Sequence, residues 1–340
     1  MIPRTGSPTL PSSSTTARAP AAPVGALDGR VTRRRPGRRA RKQAFWFYLF
    51  IAPWLLGFLC LTLFPTVVGL LMSFTNYDGF NLETVSWVGL ENYRRALDDP
   101  EAWHSLTRTF AFMAVAVPGV VLIQFILASF LNQPVRGRGF FRTVFYLPTL
   151  VPIVATAWIW KITGSSDGLL NQVARWFKDD ANILWLVDHP TDILRLFVFW
   201  AWAGTGMVVF LAALQGVPTE LREAATIDGA SRLQTARRIV LPLLTPAIFF
   251  MVVKTLYDSF QIVQEPILVN PGIGGLAAPL PPDNRFLVVK AFQETFVNQR
   301  FGYGAALLWI LFVVALLTTL ILFATARFWV YYERPGKARR

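Results

Sequence analysis

Long apolar stretches alternate with short polar segments along most of the chain. Runs with almost no charge occupy Ala44–Tyr77, Thr109–Gln133, Thr143–Trp160, Leu196–Val217, Leu243–Gln264 and Phe301–Ala326. Each is apolar on every side rather than along one stripe, and each can cross ~30 Å of hydrocarbon as a helix. A water-soluble domain has nowhere to put so many runs of this kind, so the pattern predicts an all-α membrane protein with six spans, covering 43–332. Residues 1–42 are rich in Ser, Thr, Pro, Ala and Arg. With almost no large apolar side chains they cannot bury a core, and a disordered basic tail is expected there, with a second basic tail at 333–340. The first apolar run is about twice the length of a cleavable signal core, so it reads as an uncleaved anchor.

Composition agrees: 54% of the 340 residues are hydrophobic and 16% charged. The distribution of charge adds orientation. Twenty-two of the 33 Lys and Arg residues lie in the N-terminal tail, the 134–142 loop, the 218–242 segment and the stretch after Ala326, against ten in the alternate loops. Basic residues mark the cytoplasmic side, which predicts cytoplasmic termini in a cell-membrane protein. The net charge of +13 is concentrated in Arg33–Lys42 and Arg334–Arg340, flanking spans. That placement fits a topology signal in contact with anionic membrane lipid, and no nucleic-acid partner is expected.

The usual signatures of catalysis are missing. There is no G-x-x-x-x-G-K-[ST] and no H-E-x-x-H. Cys60, the single cysteine, falls within a span, and His104 and His189 stand apart in outer loops, so spacing assembles neither a disulfide nor a metal site. No catalytic residue and no metal ligand is assigned. Acids at Asp98–Asp99–Glu101 and Asp179–Asp180 read as solvated loop charge; a membrane-embedded transferase built on them is the alternative from another functional class.

The polar segment 218–242 is too ordered for a simple turn. Pro218-Thr219-Glu220 starts a helix, with Thr219 as its cap and Glu220 and Glu223 in the first turn, where the helix dipole favours acids. Gly229 interrupts it, and Ser231 caps a second helix that carries Arg232, Arg237 and Arg238 and ends by Leu241-Pro242. Leu221, Ala224 and Ala225 share a face that the alanines make narrow enough to enter a groove. A helix resting on lipid would carry larger apolar residues.

Glu223-Ala224-Ala225, three residues, Gly229, nine residues, then Ile239-x-Leu241-Pro242 follows at every position the EAA-x3-G-x9-I-x-L-P loop. In this the chain resembles the permease subunits of binding-protein-dependent ABC importers. "WVGLENYRRAL" (87–97), "RGRGFFRTVFYLPTLVPIVATAWIWK" (136–161) and "GYGAALLWILF" (302–312) are similar to the sugar-importer branch, of the maltose and glycerol-3-phosphate type. The resemblance implies a type I importer permease fold and a coupling helix that docks on a separate ABC ATPase dimer, which binds ATP and Mg; this chain needs no cofactor. Glu220, Glu223, Ala224, Ala225, Asp228, Gly229 and Pro242 would form the coupling site. It also implies a second homologous permease, an extracytoplasmic solute-binding protein and a carbohydrate or polyol-like solute. One stretch departs: "NPGIGGLAAPLPPDNR" (270–285) replaces the Gly-Gly-Pro loop common in sugar permeases, and a peptide or amino acid stays open as the solute.

The fifth run and the residue that follows it carry Lys254, Asp258, Gln261 and Glu265 at i, i+4, i+7 and i+11, about 60° of a helix surface. Charges at such depth usually face a cavity or one another. Two readings stand: a pathway wall offering hydrogen bonds to a polyhydroxylated solute, or a structural pair at the interface with the second permease. Trp158, Trp160, Trp200 and Trp202 read as an aromatic belt ahead of a sugar-stacking surface.

Overall fold

The computed structural model describes residues 38–331, apart from 82, 135, 181, 271, 273 and 274. The expected tails fall outside these residues except for 38–42, which open the first helix. Two compact units divide the chain, Met1–Leu59 and Cys60–Arg340. The first contributes α1 (Arg38–Phe58). The second contains α2 (Phe64–Met72), α3 (Glu91–Asp98), α4 (Pro100–Leu131), α5 (Arg138–Tyr146), α6 (Ile153–Thr163), α7 (Leu169–Arg175), α8 (Trp185–Asp188) and α9 (Pro190–Gln215). After these come α10 (Thr219–Ile227), α11 (Arg232–Thr235), α12 (Leu241–Phe260), α13 (Gln264–Val269), α14 (Leu287–Phe296) and α15 (Phe301–Trp329). Among the described residues the only β pairing is one antiparallel bridge, Thr75 to Trp87.

Among the described residues, five helical stretches are long and apolar enough to cross a membrane: Phe45–Met72, Pro100–Leu131, Pro190–Gln215, Arg232–Phe260 and Phe301–Trp329. The sixth expected span, Thr143–Trp160, is not one helix. It is broken into α5 and α6, bent by 101°, with a 3-10 turn at Leu147–Leu150 between them. Pro148 and Pro152 are the cause: neither can donate to the helix ladder, and Val151, before Pro152, is forced to an extended conformation. The corner lies on α9 at Gly204, where a Cβ would stand 2.9 Å from the Phe145 carbonyl oxygen.

Proline also explains two π-helical turns, Leu59–Leu63 and Ala236–Val240. Each ends two residues before a proline, Pro65 or Pro242. The ring crowds the carbonyl four residues back, Leu61 or Arg238, and the wider turn relieves that crowding. As a result the helix begun at Arg232 does not stop at Leu241-Pro242 as the sequence pattern suggested. It passes through the proline into α12.

Helices α4 and α9 pack along their lengths and organise the core. Toward one end, Phe112, Phe197, Phe286, Val289 and Leu307 are buried with α14 and α15. Toward the end bearing loop 218–242, Ala128, Leu131, Met207, Phe210, Leu244 and Met251 fill the space among α4, α9 and α12. Lipid is as apolar as these side chains, so close packing rather than transfer from water holds the helices together, and small residues let them approach. Gly119 receives the Phe199 ring, and Gly206 receives the Gln124 side chain.

At the far end a polar clasp joins the loops. Asn92 Nδ2 donates to the carbonyls of Ser73 (3.0 Å) and Thr75 (2.8 Å), and Trp87 stacks on Phe74. Asp99 caps α4, accepting from the Glu101 amide at 2.9 Å, and its carboxylate meets Lys290 Nζ at 2.9 Å and the Tyr303 hydroxyl at 2.8 Å. Glu294 sits 3.6 Å from Lys290 and 3.4 Å from Arg300. Burial pushes the Asp99 carboxyl up, but the bonds from Lys290 and Tyr303, the Lys290 charge and the Glu101 amide outweigh it and hold the group below its ordinary value.

Candidate functional site

The 218–242 loop is built by local capping chemistry. Thr219 is the first helical residue rather than the cap; Pro218 holds the cap position and offers no side-chain bond. Proline fixes the entry angle, leaving the exposed Glu220 in the first turn to complement the free amides. The helix ends in a Schellman motif: Gly229 adopts φ +77°, its N–H donates to the Thr226 carbonyl at 3.1 Å, and the Ala230 N–H donates to the Ala225 carbonyl at 2.9 Å. Any side chain at 229 would be strained in that conformation. Ser231 then caps α11 through a reciprocal box with Gln234, its N–H donating to Gln234 Oε1 at 2.8 Å.

The two alanines do not share a role. Ala225 is buried, whereas Ala224 is exposed together with Glu220, Leu221, Glu223 and Asp228. Ile227 is 86% exposed and Leu233 77% exposed, so two large apolar side chains flank the Gly229 turn in full contact with solvent. The free face is therefore acidic and apolar. Ala225 belongs to the other face, where its small side chain packs within the chain.

Above this loop the helices enclose a cavity of about 380 Å³. Its wall includes Gln124 of α4, Thr149 and Thr156 beside the broken span, Trp202 and Thr205 of α9, Lys254 and Asp258 of α12, and Glu265 of α13. Lys254 bonds directly to Asp258. Gln124 Nε2 donates to the Trp202 carbonyl at 2.8 Å. The polar stripe expected on one helix is thus divided. Helix α12 ends at Phe260, Gln261 lies exposed in the following turn outside the cavity wall, and Glu265 returns to the cavity on α13. Of the four tryptophans only Trp202 lines the cavity; Trp160 and Trp200 meet edge to face at 6.4 Å.

Of the acids considered for catalysis, Asp98, Asp179 and Asp180 are exposed, and Asp99 and Glu101 have structural work. Asp99 anchors the far-end clasp, and Glu101 pairs with Arg108 at 2.7 Å. His104 is on α4 rather than in a loop, 3.8 Å from Glu101, and His189 precedes α9, 3.6 Å from Asp192.

Residues 101–332 match the family described as the binding-protein-dependent transport system inner membrane component. The chain belongs to this family. This permease is 35% identical over 300 residues to the probable ABC transporter permease protein YesP of Bacillus subtilis, spanning 87% of this chain and 95% of that one. The arabinooligosaccharides transport system permease protein AraP of Halalkalibacterium halodurans is 31% identical over 282 residues, covering 79% of this chain and 85% of its own. Among solved structures, the permease shares its fold with a chain of a bacterial ABC transporter involved in import of the acidic polysaccharide alginate. The TM-score is 0.73 at 22% identity, over 85% of this chain and 97% of the other. The all-α importer-permease fold expected from the motifs is the one found, and the family is a transport component of the inner membrane.

Gln124, Thr149, Thr156 and Thr205 escaped the sequence pattern, since isolated uncharged polar residues have no diagnostic spacing. Gln124 left one signal, being the lone amide in α4.

Proposed function

We propose that this permease forms half of the pathway for a carbohydrate or polyol-like solute and is driven by an ATPase that docks on loop 218–242. The observation that carries the reading is the position of that loop in the chain. It joins α9 to α12, and both helices wall the polar cavity. Force on the loop reaches the cavity through both. Threonine hydroxyls, the Gln124 amide and the Lys254–Asp258 pair offer donors and acceptors to a hydroxyl-rich ligand, and the Trp202 ring suits the apolar face of a sugar. A relative that carries the name of an arabinooligosaccharide permease supports the same solute class.

The full machine would contain a second homologous permease, two copies of an ABC ATPase holding ATP and Mg, and an extracytoplasmic solute-binding protein. Hydrolysis would occur in the ATPase. Both termini and loop 218–242 would face the cytoplasm, as the basic residues indicate.

Two substitutions test this. Glu223→Lys reverses charge on the free face of α10 and should lower the ATPase recovered on affinity purification about tenfold or more; mass spectrometry of the purified complex reads the loss. Full recovery of the ATPase would end the docking proposal. Asp258→Asn should cut uptake of an arabinooligosaccharide probe into vesicles about tenfold, by leaving Lys254 unpaired at the cavity wall, while complex yield stays constant. Unchanged uptake would remove Asp258 from the pathway, and loss of the complex would make the pair an interface element.

A further inference from the structure

We infer that Arg222 is a positioning residue that fastens the coupling helix to the end of α9, so that α10 and one wall of the cavity move as a unit. The inference rests on the coupling reading of loop 218–242. Helix α9 ends at Gln215; the Gly216 N–H caps the Ala212 and Ala213 carbonyls and leaves those of Leu214 and Gln215 beyond its reach. Arg222 Nη2 donates to one of these, the carbonyl of the buried Leu214, at 3.1 Å. A guanidinium there also meets the negative end of the α9 dipole, and its planar group holds a fixed direction that a flexible ammonium does not.

The rest of the side chain is held as firmly. Arg222 Nε is withdrawn from solvent and has no hydrogen-bond partner among the described residues. An arginine on a polar surface helix could turn this N–H to water, so its position is imposed by the surrounding structure. Arg222 and the buried Ala225 are three residues apart and share a face of α10. The linker is short as well: Gly216, Val217 and Pro218 separate the two helices, and Val217 is buried in the cluster formed with α4, α9 and α12. One face of α10 is therefore fastened, and the opposite face carries Glu223, Ala224 and Ile227 outward. From Leu214, α9 rises about 14 Å to Thr205 at the cavity wall. A helix held at its end by a linker and a charged strut transmits displacement. One held by a flexible linker absorbs it.

The experiment uses the intact complex in nanodiscs. A Cys60→Ala, Thr205→Cys chain carries one thiol at the cavity wall, and its labelling by a membrane-impermeant maleimide is followed by the mass of this chain. Labelling is compared without nucleotide and after trapping with MgATP and vanadate. Trapping should change the labelling rate about tenfold when Arg222 is present. With R222Q the ATPase should copurify in equal amount, yet the change should fall to about twofold, and R222K should restore part of it. Three results would overturn the strut: an undiminished tenfold change in R222Q, loss of the ATPase from R222Q, which would make the residue a docking element, or no change in the parent complex, which would mean that α9 does not move. Absence of the ATPase from the parent complex would instead remove the coupling reading itself.

Discussion

Gly302→Val is expected to leave little or no folded permease in detergent, and Gly302→Ala to lower stability by about 3 kcal/mol or more. A Cβ at this position would lie 2.0 Å from the Thr75 carbonyl oxygen. That oxygen cannot retreat, because Asn92 Nδ2 holds it at 2.8 Å and the Gly302 N–H is itself bonded to the Tyr77 carbonyl at 3.1 Å. A flexible side chain could move aside; a hydrogen-bonded backbone carbonyl, on a segment itself bonded to Gly302, cannot. Gly139 on α5 makes the control, since a Cβ there meets nothing within 4 Å. Its replacement by alanine should be neutral or slightly stabilising. Size-exclusion yield and thermal unfolding of the three variants read the result, and unchanged midpoints for Gly302→Ala would refute the close-packing account.

Lys290→Met should be nearly as damaging, at about 3 kcal/mol, because it removes the cation shared by Asp99 and Glu294 and leaves Glu294 only the half-exposed Arg300 as a charged partner. The Lys290 side chain is 12% exposed and that of Glu294 11%, so water replaces little of the lost interaction. This variant also carries a pH signature. Asp99 has a lowered value in the folded protein, so its contribution is fully present above its unfolded value of about 3.9 and fades as the pH falls through the folded value. Acid unfolding of the parent should therefore steepen below about pH 4, and Lys290→Met should flatten that limb. Identical acid limbs in parent and variant would show that the Lys290 pairing does not set the Asp99 titration.

The first prediction, and the Tyr303 partner of Asp99 in the second, fall in motifs by which the chain resembles its family. "WVGLENYRRAL" supplies Asn92, and "GYGAALLWILF" supplies Gly302 and Tyr303. Their pattern pointed correctly to the permease family, but their work is to clasp the far ends of α3, α4, α14 and α15. The proposed solute contacts lie elsewhere. The family resemblance is legible in these motifs because dense packing and shared hydrogen bonds restrict many neighbouring positions at once.

The sequence by itself determined the all-α membrane class, the approximate placement of the spans and the turn at Gly229, and its motifs pointed to the family. These follow from short-range physics: uniform apolarity over a bilayer thickness, and backbone angles that only glycine adopts freely. Tertiary structure decided the rest. It broke the third span at Pro148 and Pro152, divided Lys254, Asp258 and Glu265 between two helices, and turned Ala225 inward while leaving Ile227 and Leu233 outside. It also brought Gln124, Trp202 and Thr205 to the cavity beside Asp258. Such relations depend on how helices distant in the chain pack against one another, and the spacing of residues along one helix carries no record of its neighbour.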